Sequence, residues 1–330
     1  MTLRPSSNSP SYPHNPIGSV EALAKLLGSS QENLEQIADK SDKLYREVPE
    51  KKKDGTPRLT YDAFPALKVI QKSIVTKLLR KVNFPHYLHG GIRDKEFPRD
   101  QLSNASVHTR STVLVLDDVA DFFPSISSEH IFKMWCRLFN FPYSVSNILT
   151  KLTDKNGELP QGASTSSYIA NLIFWDLEPT LVGELQSLGF NYTRFIDDIT
   201  LSSRKKQSNE SIGTARSLVY TMLSKKNCRP KRSKSKFLKK GQSLNVTGLI
   251  VNGKNPAIDK EERRRIRAAV RQLELSVERS GNTIENNSQF CRVMGRVMRM
   301  VRLGHHDGQN FKKRLLSLPL NETGRGRKQP

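Results

Sequence analysis

The spacing of hydrophobic residues predicts helices and strands that are mixed along the chain. Apolar residues recur every three or four positions, as on one face of a helix, at residues 19–38, 65–82, 210–227 and 259–277. Short apolar runs bounded by turn residues predict strands at residues 45–61, 113–119, 192–202 and 244–251. A long helix to about Leu188 is expected after the small-residue loop at 159–166. The pattern favours an α+β fold in which an antiparallel sheet packs on helices.

The charge of the chain adds a class of partner to this picture. The 330 residues contain 54 Lys+Arg and 32 Asp+Glu, which gives a net charge of +22. An excess of this size favours a polyanion, and nucleic acid above all. Cations are concentrated in residues 225–240 and in the helix after Asp259, which carries Arg263, Arg267 and Arg271 outside its apolar stripe. We expect both stretches to lie along a phosphate backbone.

Other features of the sequence indicate where in the cell the protein is located. No apolar run reaches the length of a membrane-spanning helix, and the polar N-terminus lacks the apolar core of a secretory signal. The cysteines Cys136, Cys228 and Cys291 are isolated and form no zinc or disulfide pattern. A cytoplasmic protein without a membrane partner is expected.

Candidate chemistry begins with carboxylates that follow apolar strands. Asp197 and Asp198 interrupt the apolar segment 192–202, and Asp117 and Asp118 lie near the end of the run at 113–119. Uncompensated carboxylates among apolar residues are costly, and Mg²⁺ prefers carboxylate and phosphate oxygens. Neighbouring strand residues face opposite ways, so Asp117 and Asp118 cannot both point into one site. An ordinary solvated turn is the alternative for each pair.

Two other segments are ambiguous from their residues alone. Gln161 and Gly162 open the predicted long helix, where a small residue lets another group approach the backbone. Asn104 and His108 follow a polar loop. Their residues alone do not distinguish a functional element from an ordinary turn with a hydrogen-bonded histidine.

Taken in order, these segments resemble the A, B and C motifs of reverse transcriptases: LDDVADFFPSI, LPQGASTSSYIANL and YTRFIDDITLS. The resemblance covers roughly residues 45–255. Two shorter elements, NASVH at 104–108 and VTG at 246–248, resemble the NAxxH and VTG elements of retron reverse transcriptases. We therefore identify the chain as similar to bacterial retron reverse transcriptases.

The resemblance implies a right-hand polymerase fold with fingers, palm and a helical thumb. The expected divisions are a disordered N-terminus (1–17), N-terminal helices and fingers (18–112), palm (113–255), thumb (256–320) and a disordered tail (321–330). The protein would be an RNA-directed DNA polymerase that uses dNTPs and two Mg²⁺ ions, or Mn²⁺. It would copy a cognate structured noncoding RNA into multicopy single-stranded DNA, starting from a guanosine 2′-OH. A role in antiphage defence is also implied, with an effector encoded in trans, since none is recognisable after residue 320.

The resemblance also assigns roles to individual residues. The metal ligands would be Asp118, Asp197 and Asp198. The residues that bind the nucleotide would be Lys53, Arg58, Phe123, Gln161 and Gly162, with the Phe123 ring excluding a ribonucleotide 2′-OH. Residues that bind RNA or position the primer would be Asn104, His108, Val246, Thr247 and Gly248, together with the basic thumb helix.

The third motif departs from the family pattern, which has Tyr-Ala where this chain has Phe195-Ile196. The second motif has Ala-Ser-Thr-Ser in place of Ala-Pro-Thr-Ser. Since all three aspartates are retained, activity is expected. The alternatives are a group II-like or abortive-infection-type reverse transcriptase, an RNA-binding scaffold with weak catalysis, or a metal-dependent nuclease.

Overall fold

The computed structural model describes residues 8–51, 55–94 and 96–320. The α-helices are α1 (Val20–Leu27), α2 (Gln31–Asp39), α3 (Pro65–Lys77), α4 (Gln101–Val107), α5 (Phe122–Ser125), α6 (Ser128–Lys133), α7 (Tyr143–Thr153), α8 (Ser166–Leu172), α9 (Glu178–Ser187), α10 (Asn209–Ser224), α11 (Lys260–Ser280), α12 (Ile284–Arg302) and α13 (His306–Leu316). The strands are β1 (Tyr45–Lys51), β2 (Pro57–Ala63), β3 (Leu88–His89), β4 (Val113–Ala120), β5 (Asn191–Phe195), β6 (Asp198–Ser203), β7 (Arg229–Pro230), β8 (Lys236–Lys239), β9 (Asn245–Val246) and β10 (Leu249–Ile250). The mixture confirms the expected α+β class.

The main sheet has six strands, in the order β3-β5-β6-β4, with β7 and β8 both pairing along the outer edge of β4. All of these pairs are antiparallel except β3 with β5. Strands β5 and β6 form the hairpin predicted at 192–202. Strands β1 and β2 form a separate hairpin, as predicted from residues 45–61.

Strand β4 separates two hydrophobic cores, which explains why its apolar residues are continuous rather than alternating. Val113 and Val115 belong to the larger core, which also includes α1–α3 and α6–α10. Leu114 belongs to the second core, and Leu116 packs against it. A strand covered on both faces needs apolar residues at every position. The two faces of β4 therefore look into different parts of the molecule.

The second core joins the C-terminal helices to residues that precede them. The apolar stripe of α11 is buried in it as the spacing predicted: Ile266, Val270, Leu273 and Val277. Leu244, Val246, Leu249 and Val251 lie in the same core. By packing, residues 244–251 thus go with the helices after 256, although the sequence assigned them to the palm.

Three predictions about local structure were wrong. The long helix after residue 166 is broken into α8 and α9 by a turn at 173–177, because Pro179 lies in the first turn of α9 and cannot continue an earlier helix. Residues 244–251 form the hairpin β9–β10 instead of one strand. Residues 8–17, expected to be disordered, are held by Tyr12 against Phe139 and by pairing of Ser11 with Asn83.

The ends of the chain, 1–7 and 321–330, and residues 52–54 and 95 lie outside the described residues. Within the described part, no helix is both long and apolar enough to span a membrane.

Candidate active site

The sheet brings the three predicted carboxylates together at the end of β4 and the turn of the β5–β6 hairpin. Asp118 is paired in register with Asp198 across the two strands. The backbone N–H of Val119 donates to the carbonyl of Asp197 at 3.0 Å, which fixes the turn against β4. Asp117 points to the opposite face, where its carboxylate accepts from Arg216 (3.3 Å) and Tyr220 (3.1 Å). The structure therefore separates Asp118 from Asp117 as strand alternation required.

Mutual repulsion among these carboxylates marks a site that needs positive charge. Desolvation, the Asp197 carboxylate and the Asp118 carboxylate raise the pKa of Asp198 to about 6. Desolvation and Asp118 also raise the pKa of Asp197. Asp198 nevertheless has solvent-exposed surface, so a cation can reach it from outside. Three hard oxygen donors with unfavourable charge fit a divalent cation of the Mg²⁺ type.

One cation of the protein already lies at this site, and the sequence did not single it out. Lys234 Nζ is 2.6 Å from Asp118 Oδ2, and the three aspartates favour its charged form, so its pKa is raised. Its backbone segment is attached too, since Lys231 N–H donates to the Asp118 carbonyl at 2.6 Å. In the sequence Lys234 is one of many cations in the 225–240 run, and nothing there distinguishes it.

The turn between β5 and β6 has an unusual backbone. Ile196 has φ of +59°, a conformation that is rare for a β-branched residue. Its side chain and the Phe195 ring lie over Gly90 and Gly91, where an added Cβ at Gly90 would be 2.8 Å from Phe195 Cε1. The two glycines thus make room for the bulkier Phe195-Ile196 pair. Sequence reasoning missed them, although adjacent glycines are a signal of close approach.

A buried ion pair between Arg194 and Glu178 contacts the backbone of the β5–β6 turn. Arg194 donates two hydrogen bonds to the Glu178 carboxylate, at 2.7 and 2.8 Å, and one to the Ile196 carbonyl at 3.0 Å. It also donates to the carbonyls of Ala170 and Asn171 in α8. Although burial alone would lower it, the Glu178 carboxylate raises the pKa of Arg194. Arg194 therefore ties the third motif to the helix of the second, and the available signal was an arginine inside an apolar strand.

The predicted nucleotide-binding residues line one cleft in front of the aspartates. Its volume is about 570 Å³, and its walls include Arg58, Phe123, Gln161, Gly162 and Asp197. Gly162 has φ of +106°, and a Cβ there would lie 2.7 Å from the Tyr61 carbonyl oxygen. The Tyr61 N–H donates to the Gln161 carbonyl at 2.7 Å, which joins the β1–β2 hairpin to the second motif. Lys53, assigned to the same group, lies outside the described residues.

Three of the residues expected to contact RNA or primer are buried within the protein. Asn104 and His108 have no exposed surface, and neither has Val246. The His108 ring is hydrogen-bonded to Ser202 Oγ and Thr193 Oγ1, both at 2.7 Å. These side chains present no surface for direct contact with RNA in this arrangement, and their role in binding RNA or positioning the primer stays a prediction. Their burial depends on contacts between segments distant in sequence, which no local pattern reveals.

The segments at 104–108 and 246–248 contact each other and the helix α12. Asn104 Nδ2 approaches Thr247 Oγ1 at 3.5 Å. Thr247 and Gly248 form the turn of β9–β10, with φ of +47° and +78°. Arg299 of α12 donates to the Gly248 carbonyl at 3.0 Å, and Arg302 pairs with Asp100, the N-cap of α4. The segments at 104–108 and 246–248 thus form the surface against which α12 packs.

The three predicted arginines of α11 differ in their exposure and in the residues that they contact. Arg267 is exposed and pairs with Asp307 at 2.9 Å, and Arg271 is exposed and lies 3.8 Å from Glu274. Arg263 is half-buried, with Nη1 3.5 Å from His305 Nε2. Their contact with RNA stays a prediction.

A second group of metal-binding side chains lies near these arginines. Among the described residues, His305, His306 and Asp307 place their ligand atoms within 4.8 Å of one another. Asp307 is already paired with Arg267, and the nearby guanidinium groups oppose a cation. Asp118, Asp197 and Asp198 are not within that distance limit in the described part of the chain, and Asp118 is paired with Lys234.

Comparisons with known proteins identify the family of this chain. The family model for reverse transcriptases (RNA-dependent DNA polymerases) matches residues 50–251. The reverse transcriptase of retron Se72 from Salmonella heidelberg is 35% identical over 302 residues, which cover 90% of this chain and 79% of that protein. The reverse transcriptase of retron Ec48 from Escherichia coli is 31% identical over 316 residues, covering 92% and 76%.

Among solved structures, the telomerase of Candida albicans bound to a fragment of telomeric RNA matches with a TM-score of 0.38. It is 11% identical, and the match covers 62% of this chain and 40% of that one. So low a score carries no argument, and the assignment rests on the sequence relatives. The chain therefore belongs to the retron reverse transcriptases, with their right-hand polymerase fold and RNA-directed DNA polymerase activity.

Proposed function

We propose that this polymerase copies part of a cognate structured noncoding RNA into single-stranded DNA, starting from a guanosine 2′-OH of that RNA. The observation that supports it best is the meeting of Asp118, Asp197 and Asp198 beside a cleft that also holds Arg58 and Phe123. A scaffold without catalysis would have no need to keep three repelling carboxylates at such a cleft.

Asp118, Asp197 and Asp198 would hold two Mg²⁺ ions. When bound, such ions stabilise charge on the attacking and leaving oxygens of nucleotidyl transfer. Lys234 offsets part of the carboxylate charge from the side of β4.

The remaining residues of the cleft would select and orient the dNTP. Arg58 offers a guanidinium for the triphosphate, and Gln161 and Gly162 border the base and sugar. The Phe123 ring occupies the space that a ribonucleotide 2′-OH would need. The Phe195-Ile196 pair fits over Gly90 and Gly91, so it supports activity rather than loss of it.

We further propose a role in antiphage defence in the bacterial cytoplasm, together with an effector protein encoded separately. Support for this comes from the family alone.

Expression of the protein with its native flanking locus tests the proposal. Nucleic acid from the wild type should contain an RNase-resistant single-stranded DNA joined to RNA by a 2′–5′ branch. The variant Asp197→Asn/Asp198→Asn should contain the RNA without the DNA. RNA in both samples and DNA in neither would favour the scaffold alternative.

A further inference from the structure

A groove behind the sheet is larger than the nucleotide cleft and has no role in the chemistry described above. Its volume is about 870 Å³, compared with about 570 Å³ for the cleft. It lies between the outer face of α10 and the segment 232–235. The Asp117 side chain, which contacts Arg216 and Tyr220 of this groove, faces away from the active site.

The groove is lined by hydroxyl groups and cations. Its lining residues are Gly213, Arg216, Ser217, Tyr220, Thr221, Ser224, Lys225, Arg232 and Ser235. Gly213, Ser217, Thr221 and Ser224 follow helical spacing, so they form one stripe about 16 Å long on α10. This lining contains no carboxylate and no aliphatic side chain. Small-molecule sites are lined mainly by hydrophobic side chains, whereas every lining residue here except Gly213 carries a hydroxyl group or a positive charge.

Four cations of the 225–240 run fall into two kinds, paired within the protein or exposed in the groove. Within the described residues, Lys226 pairs with Asp176 and Lys234 with Asp118, both at carboxylates of the protein itself. Lys225 and Arg232 form no such pair there and are exposed in the groove. Arg216 is held at the groove wall by Asp117, Tyr220 and Ser235. The groove thus presents the positive charges of Lys225 and Arg232 beside a row of hydroxyls.

We propose that this groove binds the sugar–phosphate backbone of a double-stranded stem of the RNA. Phosphate and sugar contacts come mainly from Arg, Lys, Ser, Thr and Tyr, and folded RNA is recognised largely through its phosphates and 2′-hydroxyls. The proposal rests on the proposed function, since it takes the polyanion to be the RNA that the enzyme copies. The stem would be held on the face opposite the active site, attached through segment 231–235 to Asp118.

The test compares two pairs of substitutions that remove the same charge from exposed side chains. Lys225→Gln/Arg232→Gln alters the groove, and Lys72→Gln/Arg80→Gln alters an exposed surface of α3 and the turn after it. Fluorescence anisotropy measures binding of a 16-base-pair RNA duplex and of a single-stranded DNA of equal length, each over a range of salt. Thr221→Glu is a further variant, because it places a carboxylate within the hydroxyl stripe on an exposed helix face.

The groove variant should bind the RNA duplex roughly tenfold more weakly, with a salt-dependence slope smaller by about two. Thr221→Glu should weaken binding as well, and the α3 control should match the wild type. Equal binding by groove variant and wild type would overturn the proposal. Equal loss in groove and control variants would also overturn it, as would a loss confined to single-stranded DNA.

Extension of a short DNA primer on an RNA template separates this proposal from the proposed function. The groove variants should extend such a primer like the wild type. Failure of the wild type to extend it would count against the polymerase account, while the duplex-binding comparison would still decide the role of the groove.

Discussion

At the scale of single residues, the discrimination between ribose and deoxyribose should depend on the Phe123 ring, which lines the nucleotide cleft with Asp197. Phe123→Ala should raise the ratio of ribonucleotide to deoxyribonucleotide incorporation by about tenfold or more, because the space near the sugar 2′ carbon opens. Single-nucleotide extension with ATP and dATP measures the ratio. Phe123→Tyr keeps the ring and should keep the discrimination. An unchanged ratio in Phe123→Ala would mean that another group excludes the 2′-OH.

Gly90 should tolerate no side chain. Its φ is +76°, and a Cβ would meet the Phe195 ring at 2.8 Å and Ile196 Cγ1 at 3.0 Å. Gly90→Ala should cost about 1–3 kcal/mol of stability and displace the hairpin that carries Asp197 and Asp198, with loss of primer extension. Gly183→Ala in α9 is the control, because a Cβ there meets nothing within 4 Å and alanine favours a helix. Equal activity of the two variants would contradict this account of the turn.

At the scale of elements, the buried pair Arg194–Glu178 joins the β5–β6 hairpin to α8 and α9. Arg194→Met would leave the Glu178 carboxylate uncompensated, and should lower the free energy of unfolding by about 3–5 kcal/mol. The double variant Arg194→Met/Glu178→Leu removes the stranded charge and should recover part of that loss. Urea unfolding of both variants measures the difference. A double variant no more stable than Arg194→Met would show that the charge is not the cause.

His108, the residue that follows α4, adds a pH dependence to stability. Burial and the neighbouring His89 lower the pKa of His108 to about 3, whereas in the unfolded chain it is about 6.5. Below about pH 6.5 the histidine is protonated in the unfolded chain but stays neutral in the folded protein. The free energy of unfolding therefore decreases as the pH is lowered. From pH 7 to pH 5 this residue should account for a loss of about 2 kcal/mol.

His108→Gln should therefore be less stable than the wild type at pH 7, but should lose about 2 kcal/mol less on going to pH 5. Urea unfolding at both pH values gives the comparison, and His89, the titratable neighbour of His108, is present in both proteins. Parallel losses would show that the ring is protonated in the fold or accessible to water.

At the scale of the whole molecule, the sequence predicted those features that depend on neighbouring residues. The strand ending in Asp118, the hairpin with Asp197 and Asp198, and the stripe of α11 all follow from local spacing. The break between α8 and α9 was not predicted, because the apolar spacing continues through it although Pro179 disfavours a continuous helix. What local patterns could not provide were contacts across the fold. Lys234 meets an aspartate 116 residues away, and Asn104 and His108 are buried by segments that come much later in the chain.

Asp118 should act as a metal ligand of the polymerase, and its neighbour Asp117 provides the matched control. Primer extension on an RNA template, with Mg²⁺ and dNTPs, should be reduced at least about a hundredfold in Asp118→Asn, since even partners of metal ligands cost 10–100-fold when removed. Asp117→Asn, whose side chain lies on the opposite face of β4, should retain most activity per folded molecule. Retained activity in Asp118→Asn, or equal loss in both variants, would contradict the site described here.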